Sequence, residues 1–212
     1  MENALHSGKT DAILMASGFS RRFGSENKLL TLFRGKPLCI HTLDLVCGMK
    51  DFFNGIFFIA ADEQVAALAA GLPVTLIRND APGKGQRESV RLGVQAACAD
   101  FYFFFPCDQP LLGWATVLNM LTARRPGKIV APYCRNCADK VHASGPAHSD
   151  SQVRNGSPNL FSADFREELL TLAKGEHPRT IKERHPDAVI LVEAPVCTLL
   201  DIDNPNDLIK LI

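Results

Sequence analysis

The stretch DAILMASGFSRRFGSENK, residues 11–28, decides how this chain folds. A short apolar run at 12–15 passes directly into small residues, two glycines, two arginines and a final lysine. We interpret the run as a buried strand that ends in a flexible, cationic loop. Glycines let several backbone N–H groups turn toward one anion, and the basic side chains add charge-assisted contacts, so the loop suits a phosphate. A simple strand-to-loop turn with solvated arginines would show the same spacing.

Outward from this stretch, short apolar runs alternate with segments of helical periodicity. The predicted strands are 56–61, 73–77, 101–105, 128–132, 159–161 and 188–193, and the predicted helices are 38–49, 62–72, 86–97, 112–121 and 163–174. This alternation favours a doubly wound α/β fold with a largely parallel sheet, in which ligands bind at the carboxyl ends of the strands. The sequence contains no internal repeat and no sign of a second core. We therefore expect one domain over 1–212, with a loop insertion at 134–153.

Composition argues against several classes of partner. The 212 residues include 23 basic and 23 acidic side chains, so the net charge is zero and no overall field favours nucleic acid or an anionic membrane. The N-terminal residues are polar, and no apolar run approaches the roughly 20 residues that span a bilayer. Seven scattered cysteines, several within apolar segments, are typical of reduced core thiols. We expect a cytoplasmic protein.

Acidic residues follow apolar segments at two places in the chain. Asp108 comes just after the apolar run 101–105, where a carboxylate could hold a divalent ion against the phosphates of a nucleotide. The same residue could instead form a turn. Near the C-terminus, Asp201 and Asp203 would share one face of a strand and could complete a metal site with Asp108. Asp203 could equally begin the following turn and cap the last helix.

Cysteine and histidine residues in the predicted insertion resemble half of a zinc site. Cys134 and Cys137 are followed by His142 and His148, but no second, regularly spaced ligand pair accompanies them in the sequence. Chance spacing in a cysteine-containing loop accounts for such a set more often than zinc does. The sequence also lacks the G-x-S-x-G spacing of a nucleophile elbow, which argues against nucleophilic hydrolysis.

The opening stretch and five later segments together resemble one family. AILMASGFSRRFGSENKLL, residues 12–30, resembles the L-A-A-G-x-S-x-R-M-G-x-x-K-L signature of the MobA-like nucleotidyltransferases, especially the branch that transfers CMP from CTP to molybdopterin. The later segments, in the family's order, are GQRESVRLGV (85–94), PCDQP (106–110), RNGSPNLFS (154–162), GEHPR (175–179) and LLDIDNPNDL (199–208). The resemblance implies a Rossmann-like three-layer sandwich with a mixed, mostly parallel sheet, the fold of the nucleotide-diphospho-sugar transferases.

The resemblance also implies roles for three groups of residues. The nucleotide would be bound by Ala16, Ser17, Gly18, Ser20, Arg22, Gly24, Lys28 and Ser89. The catalytic residues would be Arg22, Lys28 and Asp108, with Mg²⁺ held by Asp108 and, from the acidic pattern described above, Asp201. The acceptor would contact Gln109, Asn155, Gly156 and Pro158.

The implied activity is Mg²⁺-dependent transfer of CMP from CTP to molybdopterin, with release of pyrophosphate. A molybdenum hydroxylase apoenzyme is a candidate partner, whereas nucleic acid and membranes are not expected. One alternative is a cytidylyltransferase that acts on a sugar or polyol phosphate. Another is a non-catalytic accessory protein that binds the molybdenum cofactor, because the segment GSENK carries one residue more between Gly24 and Lys28 than the family spacing.

Overall fold

The computed structural model of the chain describes residues 8–18, 27–134, 154–195, 199–204 and 207. Its strands are β1 (Thr10–Ala16), β2 (Leu32–Phe33), β3 (Lys36–Pro37), β4 (Gly55–Ala60), β5 (Thr75–Arg78), β6 (Phe101–Pro106), β7 (Ile129–Cys134), β8 (Arg154–Asn155), β9 (Asn159–Ser162) and β10 (Val189–Glu193). Its α-helices are α1 (Leu38–Gly48), α2 (Glu63–Ala67), α3 (Gln86–Ala96), α4 (Trp114–Ala123), α5 (Arg166–Leu170) and α6 (Pro178–Arg184). Short 3₁₀ helices occur at Lys28–Leu30, Lys50–Phe52, Pro82–Lys84, Ala163–Phe165 and Pro186–Ala188.

One mixed sheet forms the middle layer of the structure. Its strand order is β10-β7-β9-β6-β1-β4-β5, and β8 pairs with β7 beside this path. Strand β1 runs parallel to both β4 and β6, β4 runs parallel to β5, and β7 runs parallel to β10. Strand β9 lies antiparallel between β6 and β7. The predicted α/β fold with a mixed, mostly parallel sheet is confirmed.

The two central strands carry apolar side chains on both faces. In β1, Leu14 packs into one apolar layer and Ile13 into the opposite one. In β6, Phe103 and Phe105 join the layer of Leu14, whereas Phe104 joins the layer of Ile13. Strands that are covered on both faces have no polar side, which is why both read as continuous apolar runs in the sequence.

Helices cover both faces of this sheet. Helices α1, α2 and α4 pack against the layer that contains Leu14, and α3, α5 and α6 pack against the layer that contains Ile13. Helix α1 begins directly after Pro37, where the sequence predicts a helix start. The arrangement is the three-layer sandwich that the family resemblance implies. No helix in the described ranges is long and apolar enough to cross a bilayer.

Two predicted helices are shorter than expected. The helix predicted at 62–72 ends at Ala67, because the chain then closes turns through bonds between residues three apart before reaching Gly71, whose φ is +76°. The helix predicted at 163–174 is a 3₁₀ turn followed by α5, which ends at Leu170. The spacing of apolar residues in the sequence does not locate these helix ends, because the same spacing continues where the α-helix gives way to turns with hydrogen bonds between residues three apart.

Other predictions concern the second half of the chain. Helix α6 lies where no helix was expected. Residues 200–203 do not form a strand, so the strand geometry expected for Asp201 and Asp203 is wrong. The single domain over 1–212 stays a prediction, and the predicted insertion at 134–153 lies, apart from its first residue, outside the described residues.

The cysteines correct the expectation of reduced core thiols in part. Cys39 and Cys107 are free and buried, as expected. Cys98 is free but exposed, so it is not a core thiol. Cys134 is disulfide-bonded, and the expectation of a reduced thiol is wrong at this position.

A close helix-to-strand contact at Gly93 tests the packing of α3 on β1. A Cβ atom added at Gly93 would lie 2.4 Å from Cγ2 of Ile13. Because Ile13 is fully buried and its branched side chain is stiff, we expect Gly93→Ala to lower the free energy of unfolding by about 1–3 kcal/mol in urea denaturation. Gly83→Ala is the control, since a Cβ atom there meets open space. Equal stabilities of the two variants would contradict this packing.

Candidate active site

Two parallel strands end side by side at one edge of the sheet. Met15 of β1 pairs with Pro106 of β6, so the residues that follow the two strands lie together. They line a pocket of about 230 Å³. The lining residues are Met15, Ser17, Gly18, Lys28, Leu29, Pro82, Gly85, Gln86, Ser89, Pro106 and Asp108. The pocket therefore brings together the predicted site residues Ser17, Gly18, Lys28, Ser89 and Asp108.

Lys28 connects this pocket to a group of carboxylates. Its Nζ donates to Oδ2 of Asp108 at 2.6 Å, to Oδ1 of Asp203 at 3.3 Å and to the carbonyl oxygen of Ile202 at 3.2 Å. Burial by itself lowers the pKa of Lys28, but the charges and hydrogen bonds of Asp108 and Asp203 outweigh burial, so the net pKa is raised. Lys28 is therefore a fixed positive charge beside the pocket at neutral pH.

Local structure holds Lys28 in this place. It begins the 3₁₀ helix Lys28–Leu30, and the side chain of Asn27 caps that helix by accepting from the N–H of Leu29 at 3.1 Å. The side chain of Leu29 is buried in the core. The additional residue in the segment GSENK therefore does not prevent Lys28 from reaching Asp108.

The C-terminal carboxylates are tied to the end of β6. The N–H of Ile202 donates to the carbonyl oxygen of Asp108 at 3.0 Å. Oδ2 of Asp207 accepts from the N–H groups of Asp203 and Asn204, both at 3.0 Å. These backbone contacts, rather than a strand, bring residues 201–203 to the pocket.

Gln109 and Asp201 form a second buried contact beside Asp108. Nε2 of Gln109 donates to Oδ1 of Asp201 at 2.8 Å. Burial and, after it, the charges of Asp108 and Asp203 raise the pKa of Asp201 to about 7, against the opposing effects of the Gln109 hydrogen bond and of Lys28. The carboxylates of Asp108, Asp201 and Asp203 repel one another, and a bound cation would reduce that repulsion.

The residues present fit the predicted Mg²⁺ in one respect. Oδ1 of Asp108 is buried and has no hydrogen-bond partner among the described residues. A buried carboxylate oxygen without a partner is a position that a metal ion would satisfy. In the described part of the chain, no group of three or more His, Cys, Asp or Glu side chains is arranged to hold a metal. A Mg²⁺ ion would therefore need phosphate oxygens as further ligands, as is common for this ion.

The loop after β5 forms the opposite wall of the pocket. Asn79 follows β5 directly, and its Nδ2 donates to Oγ of Ser89 at 3.1 Å. Its Oδ1 accepts from the N–H of Ala81 at 3.0 Å, which shapes the turn before Gly85. Gly85 has φ of +83° and precedes α3 without a side-chain cap, so it brings the first N–H groups of α3 to the pocket.

The residues predicted in the opening loop have different outcomes. Oγ of Ser17 donates to the carbonyl oxygen of Ile59 at 3.0 Å, which fixes the turn out of β1. Ala16 is buried and packs into the core, so its side chain does not line the pocket. Ser20, Arg22 and Gly24 lie outside the described residues, and their roles stay predictions.

The predicted acceptor residues lie in two places. Gln109 is buried and holds Asp201. Asn155 pairs with Tyr133 across β8 and β7, and the loop 156–159, which contains Gly156 and Pro158, follows it. A Cβ atom at Gly156 would lie 3.4 Å from the side chain of Leu199, so this loop touches the segment that leads to Asp201.

The predicted half-site for zinc receives no support. Cys134 is disulfide-bonded and cannot act as a thiolate ligand. Cys137, His142 and His148 lie outside the described residues.

Three residues near the site carried no prediction. Asn79 had a usable signal, because it is a polar residue directly after a strand whose carboxyl end lies at the edge of the pocket. Gln86 is an exposed first residue of α3 that lines the pocket, and the sequence alone does not distinguish it from a solvated helix start. Lys182 of α6 contacts the loop 156–159, and only tertiary packing reveals that.

A family comparison agrees with this geometry. The model of the MobA-like NTP transferase domain matches residues 12–189, which includes β1, β6 and the pocket between their ends. The chain belongs to the MobA-like NTP transferase family.

Individual proteins that this chain resembles give further context. The chain is 30% identical over 114 residues to a molybdenum cofactor guanylyltransferase of Shewanella putrefaciens, which covers 53% of this chain and 56% of that relative, so the match spans little more than half the length of the relative. It is 25% identical over 206 residues to nicotine blue oxidoreductase of Paenarthrobacter nicotinovorans, covering 94% and 95%. A nucleotidyl transferase of Methanothermobacter thermautotroptrophicus has the same fold, with a TM-score of 0.75, 20% identity and coverage of 96% and 95%.

The raised pKa of Asp201 predicts a pH-dependent stability. Asp201 has an ordinary pKa of 3.8 and a pKa of about 7 in the folded chain, so the folded state binds the proton more tightly and loses stability as the pH rises from about 4 to 7. Asp201→Asn removes the charge and keeps an oxygen that can accept from Gln109. We expect this variant to be more stable than the unaltered chain at pH 8 by on the order of 2–4 kcal/mol, measured by urea denaturation without metal.

The control for this prediction is Asp51→Asn, because Asp51 is an exposed carboxylate. That variant should show the same decline in stability between about pH 4 and pH 7 as the unaltered chain. If Asp201→Asn declines as steeply as the unaltered chain, Asp201 is not the group that titrates.

Proposed function

We propose that this protein is a nucleotidyltransferase that transfers CMP from CTP to molybdopterin and releases pyrophosphate. The observation that carries the proposal is the contact of Lys28 with Asp108 at the mouth of the pocket, which joins a cationic loop to a carboxylate with a free oxygen. Family membership over residues 12–189 supports the same reaction class. The relatives named molybdenum cofactor guanylyltransferase support the acceptor.

The reaction asks the protein mainly for positioning and for neutralisation of charge. A phosphate oxygen of the acceptor attacks the α-phosphorus of the nucleotide, the new P–O bond forms, and the bond to the β-phosphate oxygen breaks. A phosphate oxygen is already ionised at neutral pH, so no side chain has to act as general base. Lys28 and Arg22 would stabilise the negative charge that gathers on the leaving pyrophosphate.

The carboxylates would hold the divalent cation of this reaction. Asp108 offers its unpartnered Oδ1, and Asp201 offers the oxygen that Gln109 does not engage. Bound there, Mg²⁺ would supply neutralisation of the phosphate charge. Lys28 donates a hydrogen bond to Oδ2 of Asp108, so it would orient that carboxylate. The same ammonium group would face the phosphates.

The identity of the base is the point on which the relatives differ from this proposal. The opening stretch 12–30 resembles the branch that transfers CMP. The segment 85–94, which resembles a motif of the whole family, contributes Gly85, Gln86 and Ser89 to the pocket. The curated relatives at 30% identity are named guanylyltransferases. GTP is therefore the competing donor, and a direct comparison of the two nucleotides decides between them.

A second candidate function comes from the match over nearly the whole chain to nicotine blue oxidoreductase. An enzyme of that class needs an electron donor, and the pocket would have to hold both donor and dye. Loss of the colour of nicotine blue with a reduced nicotinamide, and no reaction with nucleoside triphosphates, would favour this candidate over nucleotidyl transfer.

The first test of the proposal is release of pyrophosphate by the purified protein. With molybdopterin and Mg²⁺, we expect release with CTP, little with GTP, and none after chelation of the metal. A pterin dinucleotide should be found by mass spectrometry. Release with a polyol phosphate in place of molybdopterin would reassign the acceptor, and the absence of release with every nucleotide and acceptor would exclude the proposal.

Two substitutions test the residues that carry the proposal. Asp108→Asn and Lys28→Met should each lower kcat/KM by about 10²–10³. The first weakens the binding of the divalent cation, and the second removes a positive charge that stabilises the leaving pyrophosphate. Asp51→Asn and Lys50→Met, which alter exposed residues outside the pocket, are the matched controls and should keep the activity. If both pairs of variants turn over equally well, the reaction takes place elsewhere on the molecule.

A further inference from the structure

Lys182 is a half-buried lysine of α6 whose contacts all lead to one loop. Its Nζ donates to Oδ1 of Asn159 at 2.6 Å and to the carbonyl oxygen of Gly156 at 3.4 Å. Gly156 begins the loop between β8 and β9, and Asn159 is the first residue of β9, so the two contacts lie at the two ends of the segment 156–159. The neighbouring residue Ile181 is fully buried in the core, which anchors the helix that carries Lys182.

The charge of Lys182 is not explained by an ion pair. Among the described residues, both hydrogen-bond acceptors of its Nζ are neutral oxygens. Burial and, after it, the charge of Arg179 lower the pKa of Lys182 to about 8, against the opposing charge of Glu183. Glu183 is itself bonded to Arg179 at 2.9 Å. A largely buried ammonium group without a carboxylate partner is unfavourable unless its hydrogen bonds compensate for the loss of water. Those hydrogen bonds go to Gly156 and Asn159.

The loop that Lys182 holds is in contact with the carboxylate side of the pocket. The N–H of Gly156 donates to the carbonyl oxygen of Pro132 at 3.0 Å, which ties one end of the loop to β7. The other face of Gly156 lies against Leu199. Leu199 is two residues before Asp201, so the loop packs against the segment that carries this carboxylate.

We propose that Lys182 is a positioning residue for the acceptor, which fixes the loop 156–159 from both ends and thereby places the acceptor opposite the nucleotide. The inference rests on the proposed nucleotidyl transfer and on the acceptor contacts that the family resemblance implies for Gly156 and Pro158. Lys182 acts through Gly156 and Asn159 and does not touch the reacting atoms. Ammonium hydrogen bonds to two acceptors at once hold a loop more tightly than either bond alone, because each restricts the other.

The test is a comparison of steady-state constants for the two substrates. We expect Lys182→Met to raise the KM for the acceptor by about tenfold, with the KM for the nucleotide unchanged and kcat within about twofold. Lys182→Arg, which keeps the charge and several donors, should recover most of the acceptor affinity. Lys174→Met is the control, because Lys174 is an exposed lysine. An unchanged KM for the acceptor in Lys182→Met, or an equal rise for both substrates, would overturn the proposal.

A second variant approaches the same contact from the loop. Asn159→Ala removes the closer acceptor and leaves Lys182 in place, so it also serves if Lys182→Met does not fold. It should raise the KM for the acceptor as Lys182→Met does, and the double variant should add little to either single change. Additive effects of the two changes would show that Lys182 and Asn159 act separately, which contradicts the proposal.

Failure of this inference is distinct from failure of the proposed function. If the unaltered chain releases no pyrophosphate with any acceptor, the proposed function is wrong. If the unaltered chain turns over and the Lys182 variants retain its acceptor KM, only the positioning role is wrong. Amide hydrogen exchange of residues 156–159 tests the contact of Lys182 with Gly156 and Asn159 without measuring activity. Faster exchange in Lys182→Met would support the contact, and unchanged exchange would overturn it.

Discussion

The parallel pairing of β1 with β6 is the constraint on which the site depends. With Met15 opposite Pro106, the loop after β1 and the turn after β6 leave the sheet at the same edge. Both strands are buried on both faces, so a slip of one residue would exchange their apolar layers and bury the wrong side chains. The packing that stabilises the core therefore also fixes the distance between the nucleotide loop and Asp108.

The carboxylates at the pocket are paired unequally with positive charge. Lys28 bonds to Asp108 and Asp203, whereas Asp201 is held by the neutral amide of Gln109. One carboxylate oxygen of Asp108 lacks a partner among the described residues. A protein selected for stability alone would pair or replace these groups, because buried carboxylates near one another are unfavourable. A site that receives a metal ion and a triphosphate gains from the same arrangement.

The two parts of the proposed site are held in place in different ways. The pocket that we propose for the nucleotide is formed by strand ends and by the start of α3, which pack on the central sheet. The segment 156–159 that we propose for the acceptor is held by hydrogen bonds to Pro132 and Lys182 and by packing against Leu199. Family membership and fold therefore support the reaction class, whereas the choice of nucleotide and acceptor depends on the side chains around the site.

Periodicity and residue type were sufficient for much of this molecule. The buried strands, the main helices and the place of Asp108 after β6 follow from local patterns. Burial on both faces of the central strands leaves continuous apolar runs in the sequence. The ends of α2 and α5, the bond from Lys28 to Asp108, the pairing of Gln109 with Asp201 and the contact of Lys182 with its loop were decided by the tertiary structure. Lys28 lies 80 residues from Asp108 and 175 from Asp203, and such contacts depend on strand register and on how helices and loops settle against the sheet. No local pattern in the sequence records that geometry.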